Sequence, residues 1–208
     1  FTWTIDILGD WSEPGNWDPP GGGPPNDQNH TAIFTSTQTS VVVLTSPMTV
    51  NRIEFDNAEG SYAIAGLSSV NLFANTAPTP VLPTIDVAAG THEFQAAVNL
   101  NESTLVTMAS GAKLTFNNAL NLGGFTLTKT GDGTIAINNQ LTTAGGALDI
   151  QQGTVEGVGI VGGDVNNDGG TISPGNSVAS ASSVPEPASL VLVVIGMISL
   201  ICISRGQP

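Results

Sequence analysis

The sequence predicts an all-β fold whose body is a coil of short strands, a β-solenoid, entered through an irregular Trp-rich cap. Three observations carry this expectation. Only 10% of the residues are charged, while Gly numbers 25 and Pro 13. A helix-rich enzyme carries far more Lys, Arg and Glu on its helix surfaces. Short runs of alternating apolar and polar residues recur through the second half of the chain, separated by Gly and Asn pairs. That period of two belongs to strands, and the small polar residues between them belong to tight turns. The one long apolar run is confined to the C-terminus, where it predicts a single transmembrane helix.

Residues 1–60 read as the cap and the first strands. Trp3, Trp11 and Trp17 precede a Pro/Gly loop at 19–25, followed by strand-like runs at Thr31–Phe34, Ser40–Leu44 and Arg52–Phe55. A solenoid leaves its first rung open, and an open rung must be covered to prevent edge-to-edge association. The Trp residues are therefore expected to close that end; stacking on a sugar is the functional alternative. Pro78, Pro80 and Pro83 mark either an excursion loop or a soft boundary.

Residues 61–178 form the expected repeat region. Lys113–Phe116, Ala119–Leu122, Thr126–Lys129, Thr134–Ile137 and Ala147–Ile150 are short alternating runs. One apolar face per strand makes no stable flat layer, whereas coiling stacks each inward side chain on the next rung. Leu114, Phe116, Leu120, Leu122, Leu127, Ile135, Ile137, Leu148 and Ile150 are the expected inner column. A two-sheet β-sandwich is the other architecture this alternation permits.

The stretch Leu127-Thr-Lys-Thr-Gly-Asp-Gly-Thr-Ile135, followed by Gly146-Ala-Leu-Asp-Ile-Gln-Gln-Gly-Thr154, resembles the autotransporter-associated β-strand repeat. Gly169–Ser177 is similar to the closing coil of such passengers. The resemblance covers about a third of the chain and implies a right-handed parallel β-helix displayed outside the cell. No translocator barrel accompanies it, so the autotransport route is not implied.

Beyond a Ser/Pro linker at 179–187, the residues from Ala188 to Ser204 carry no charge, and Arg205 follows at once. As a helix this stretch spans about 25 Å at ~1.5 Å per residue, slightly short of a hydrocarbon core of ~30 Å. It is apolar on every side, which a thin β domain cannot cover. Arg205 is the expected membrane stop, with 205–208 as a cytoplasmic tail and the body outside. Val184-Pro185-Glu186-Pro187, the apolar stretch and the basic end resemble the PEP-CTERM sorting signal. The resemblance implies export, anchoring and processing near the Pro-Glu-Pro by an exosortase-like transpeptidase. A single base, where that family usually carries several, is the departure. Pro185 and Pro187 keep the segment extended, as a processing enzyme requires. The chain begins at Phe1 without a secretory leader, so a trimmed leader is expected.

Charge and composition exclude several chemistries. The formal net charge is −13, and Arg52, Lys113 and Lys129 are the only bases before the tail, so no patch exists to neutralise phosphates. Nucleic acid is not an expected partner. The lone cysteine, Cys202, sits in the apolar tail, leaving no disulfide or CxxC metal site. Asp164-Val-Asn-Asn-Asp-Gly169 matches the opening of a calcium loop, but its twelfth position is Gly175, and the segment reads as a solenoid turn. His30 and His92 lie far apart, no Gly-x-Ser-x-Gly elbow occurs, and no local carboxylate cluster stands out. No catalytic residue, metal or cofactor is expected. The expectation is an exported structural or adhesive surface protein, with membrane, transpeptidase and extracellular polysaccharide as partners. A carbohydrate- or ice-binding module is the alternative, and a β-helix polysaccharide lyase or hydrolase a lesser one.

Overall fold

The computed structural model describes residues 1–175. Val184, Pro185, Glu186 and Pro187, the stretch 188–204 and Arg205 all lie outside the described residues. So do the last residues of the 61–178 region. Among the described residues no helix is long and apolar enough to cross a membrane.

The described chain is all-β. It opens with β1 (Thr2–Trp3), β2 (Leu8–Asp10), a 3₁₀ turn at Pro14–Asn16 and β3 (Trp17–Asp18). β4 (Asp27–Phe34), β5 (Ser40–Leu44), β6 (Met48–Asp56), β7 (Tyr62–Gly66) and β8 (Ser69–Leu72) follow. A Pro-rich connection leads to β9 (Thr84–Ala89), β10 (Thr91–Phe94) and β11 (Ala97–Leu100). The next circuits are β12 (Thr104–Met108), β13 (Lys113–Phe116) and β14 (Leu120–Asn121), then β15 (Thr126–Thr130), β16 (Thr134–Ile137) and the long β17 (Gln140–Ile150). β18 (Thr154–Gly157), β19 (Ile160–Asn167) and β20 (Thr171–Pro174) complete the described chain.

Strands pair with those one circuit earlier and one later, giving two parallel sheets. In one, β10, β13, β16, β18 and β20 stack in register, with His92, Leu114, Ile135, Val155 and Ile172 aligned. In the other, β17 pairs with β14 through its first half and with β15 through its second. Ala144 and Gly145, both at positive φ, turn the chain between those halves. Among the described residues β1 with β3 is the one antiparallel pairing. The hairpin ladders of an antiparallel sandwich are absent from the described residues. A circuit consumes roughly twenty residues, as repeat architectures do.

All nine expected inner-column residues are buried, none more than 3% exposed. The parallel pairing also reaches beyond the expected repeat region: β2 pairs β5, β5 pairs β7, and β4 pairs β6. The Pro78–Pro83 segment is an excursion, because β6 pairs with β8 before it and with β9 after it. Asn51 Nδ2 donates to the carbonyls of Phe73 at 2.8 Å and Val81 at 3.0 Å, holding the excursion against the coil. Asp164–Asn167 is strand, part of β19, rather than the expected turn; the chain bends only at Asp168 and Gly169. Pairing with the second half of β17 satisfies its backbone there.

The core changes along the stack. Phe34, Phe55, Tyr62, Phe94 and Phe116 fill the early circuits, with Phe94 and Phe116 stacked at 5.3 Å. Later circuits are filled by Leu, Ile and Val. At the last described rung Val161, Val165 and Ile172 occupy register positions below Leu141, Leu148 and Val155, yet they are exposed.

Candidate functional site

At the N-terminal end, Trp3, Trp11 and Trp17 are at most 1% exposed. Trp3 and Trp11 both lie 5.0 Å from Trp17, and the Phe34 ring lies 5.7 Å from Trp11 and Trp17. Each indole N–H donates internally: Trp3 to the Ile5 carbonyl at 2.7 Å and Ser40 Oγ at 3.0 Å, Trp11 to the Pro25 carbonyl at 2.9 Å, and Trp17 to the Trp11 carbonyl at 2.8 Å. Large aromatics with satisfied donors are packed core. They present no face on which a sugar ring can stack.

The outer faces of the coil are built from register columns. On β8, β11 and β14, Asn71, Asn99 and Asn121 form a side-chain ladder; Asn99 donates to Asn71 at 2.9 Å and Asn121 to Asn99 at 2.8 Å. On β10 to β20, Thr91, Lys113, Thr134, Thr154 and Thr171 share one column. On β6 to β17 the column is Arg52, Thr84, Leu105, Thr128 and Asp149. Lys113, Leu105 and Asp149 interrupt the Thr positions, so they make no uninterrupted hydroxyl array.

Arg52, Lys113 and Glu93 on these faces are engaged by neighbouring side chains. Arg52 Nε donates to Glu54 Oε1 at 3.0 Å and Asp86 Oδ2 at 2.8 Å. Lys113 Nζ reaches Glu156 Oε1 at 2.7 Å, bridging over the intervening β16. Glu93 accepts from Asn117 at 2.7 Å and from Gln95. A carboxylate pair set for glycoside hydrolysis needs one free base and one group held protonated. These carboxylates are instead held by cations and amides. Among the described residues no group of three His, Cys, Asp or Glu side chains could hold a metal ion. A shallow opening of about 170 Å³ at the last described rung is lined by Ile137, Val155, Val161 and Ile172, with no cluster of chemical groups.

Among the described residues, Lys129 and His92 join Tyr62 as ionisable side chains inside the coil, and hydropathy alone does not suggest the first two. Lys129 aligns with Ile53, Ile85, Val106 and Ile150 in an inner column and is fully buried. Its Nζ donates to the carbonyls of Gly131 and Gln152, both at 2.8 Å, capping two turns. Burial lowers its pKa to about 8, against a smaller opposing pull from Asp132. His92 is 1% exposed and aligned with Leu114. Its parity with Phe94, like that of Lys129 with Leu127, is the sequence signal that places both inward. His30 is far from this core: its Nδ1 accepts from the Asn26 N–H at 3.1 Å, and its ring lies 4.7 Å from Phe1.

The sorting-motif residues Val184–Pro187 and Arg205 cannot be set beside these surfaces, since they lie outside the described residues. Compared with protein-family models, curated proteins and solved structures, the chain matches none.

Proposed function

We propose that this chain is an exported structural or adhesive protein of the cell surface or extracellular matrix. Its body is a right-handed parallel β-solenoid, held by a C-terminal sorting and anchoring signal. Parallel β-crossovers are right-handed in about 98% of cases, which supports that hand. The observation that carries the function is the ordered tail: Val184-Pro185-Glu186-Pro187, the uncharged stretch 188–204, then Arg205. A coil whose outward bases Arg52 and Lys113 are each held by carboxylates, and whose three Trp side chains are spent on the core, fits a scaffold better than a catalyst. The partners are the membrane, an exosortase-like transpeptidase acting near Pro185-Glu186-Pro187, and extracellular polysaccharide. The Asn71–Asn99–Asn121 ladder offers amide donors and acceptors for polysaccharide hydroxyls.

Fractionating the native host and weighing the intact protein tests this reading. A surface or matrix species truncated near Pro185 is the expected result. Full-length protein persisting in the cytosol overturns it, and full-length protein in the inner membrane reduces the tail to an uncut anchor.

A further inference from the structure

We propose that His92 is an acid-sensitive latch, and that its protonation opens the coil locally around β7 and β10. The ring joins two consecutive circuits, that of β6 and β7 and that of β9 and β10. Its Nδ1 accepts the Tyr62 N–H at 3.1 Å, so the proton resides on Nε2, which donates to the Ala89 carbonyl at 2.8 Å. The ring stacks on Phe55 at 4.6 Å and 13°. Beside it, Gly90 at φ +87 packs against the Asn57 carbonyl and the His92 ring, leaving no room for a Cβ. Asn57 carries the connection onward: its Nδ2 donates to the Gln38 carbonyl at 3.1 Å, and its Oδ1 accepts from the N–H groups of Glu59 and Gly60.

Both ring nitrogens are therefore committed in the neutral form. A second proton places N–H against the Tyr62 N–H, orphaning a buried donor, and buries a charge with no counter-ion. No carboxylate relieves it. On β6 and its following turn, Glu54 points outward to Arg52, while Asp56 and Glu59 are exposed. On β9, Asp86 also pairs with Arg52; on β10, Glu93 is held by Asn117; on β13, Lys113 is held by Glu156. From β7 only the Tyr62 phenol is titratable, and it stays neutral in acid, its oxygen accepting the Ser36 N–H at 2.8 Å. Burial lowers the His92 pKa, in the same direction as the geometry. Protonation thus occurs in the opened coil, and each step below the free imidazole pKa of ~6.5 favours opening. Opening stays local because each circuit contacts only its neighbours.

Hydrogen exchange of the full chain, corrected for intrinsic rates, tests the latch. The expected result is a fall in Tyr62 amide protection of about fifteenfold between pH 6.5 and 5, steepening toward about tenfold per unit at the acid end and lying above the carboxylate range. Amides of β15 to β18 keep their protection over the same interval. His92→Gln, neutral throughout, flattens the profile. Should that variant not fold, imidazole NMR of the unaltered protein decides: the folded ring stays in the neutral Nε2–H form across this interval. Ring protonation without loss of Tyr62 protection overturns the proposal. So does a flat Tyr62 profile, or loss of protection along the whole stack in parallel.

Discussion

Lys129 occupies a position where each register partner on the neighbouring circuits is apolar. The cost of burying its ammonium is reduced by two carbonyls that would otherwise face the core without a donor. Its pKa of about 8 lies below the ordinary 10.5, so the unfolded chain binds more protons between those values. Stability contributed through this group therefore rises as pH climbs from about 8. Tyr62 acts in the opposite sense: burial raises its pKa above 10.0, so the folded chain keeps a proton the unfolded chain loses. A urea midpoint that rises from pH 8 to 9.5 and falls beyond 10 is the expected profile. Lys129→Met should remove the rise while leaving the fall. An unchanged rise in that variant would show that another group supplies it.

At the scale of elements, the turns and the cap decide where the coil can form. Gly153 sits at φ +76, and a Cβ there would collide with the Gly131 carbonyl and Lys129 Nζ. Gly153→Ala is expected to cost about 1–3 kcal/mol, read as a lowered urea midpoint. At the cap, Trp17→Ala removes a ring touching Trp3, Trp11 and Phe34. Its expected cost is about 3–5 kcal/mol by chemical denaturation. The alternating runs were legible in the sequence because a period of two shows within four residues, as in Lys113–Phe116. The union of the Trp side chains was legible only as a need for a cap. Their contacts join β1, β3 and the chain between, which no local pattern encodes. Lys129 and His92 escaped notice because residue type outweighed parity: each lies two positions from an inward Leu127 or Phe94. Asp164–Asn167 misled in the opposite way, since Asp and Asn favour turns but here pair along β17.

Across the whole described body, cap, latch and inner column depend on adjacent circuits being parallel and in register. Outward neighbours in such a coil lie ~4.8 Å apart, within disulfide reach, while residues two circuits apart lie at roughly twice that. Thr91, Lys113 and Thr134 are three successive members of one outward column. The most direct measurement is oxidative cross-linking of paired cysteines on these sites in full-length protein carrying Cys202→Ser. Thr91→Cys with Lys113→Cys should close an intrachain disulfide under mild oxidation, and Thr91→Cys with Thr134→Cys should not. Failure of the first pair, or equal closure of the second, would contradict the parallel coil.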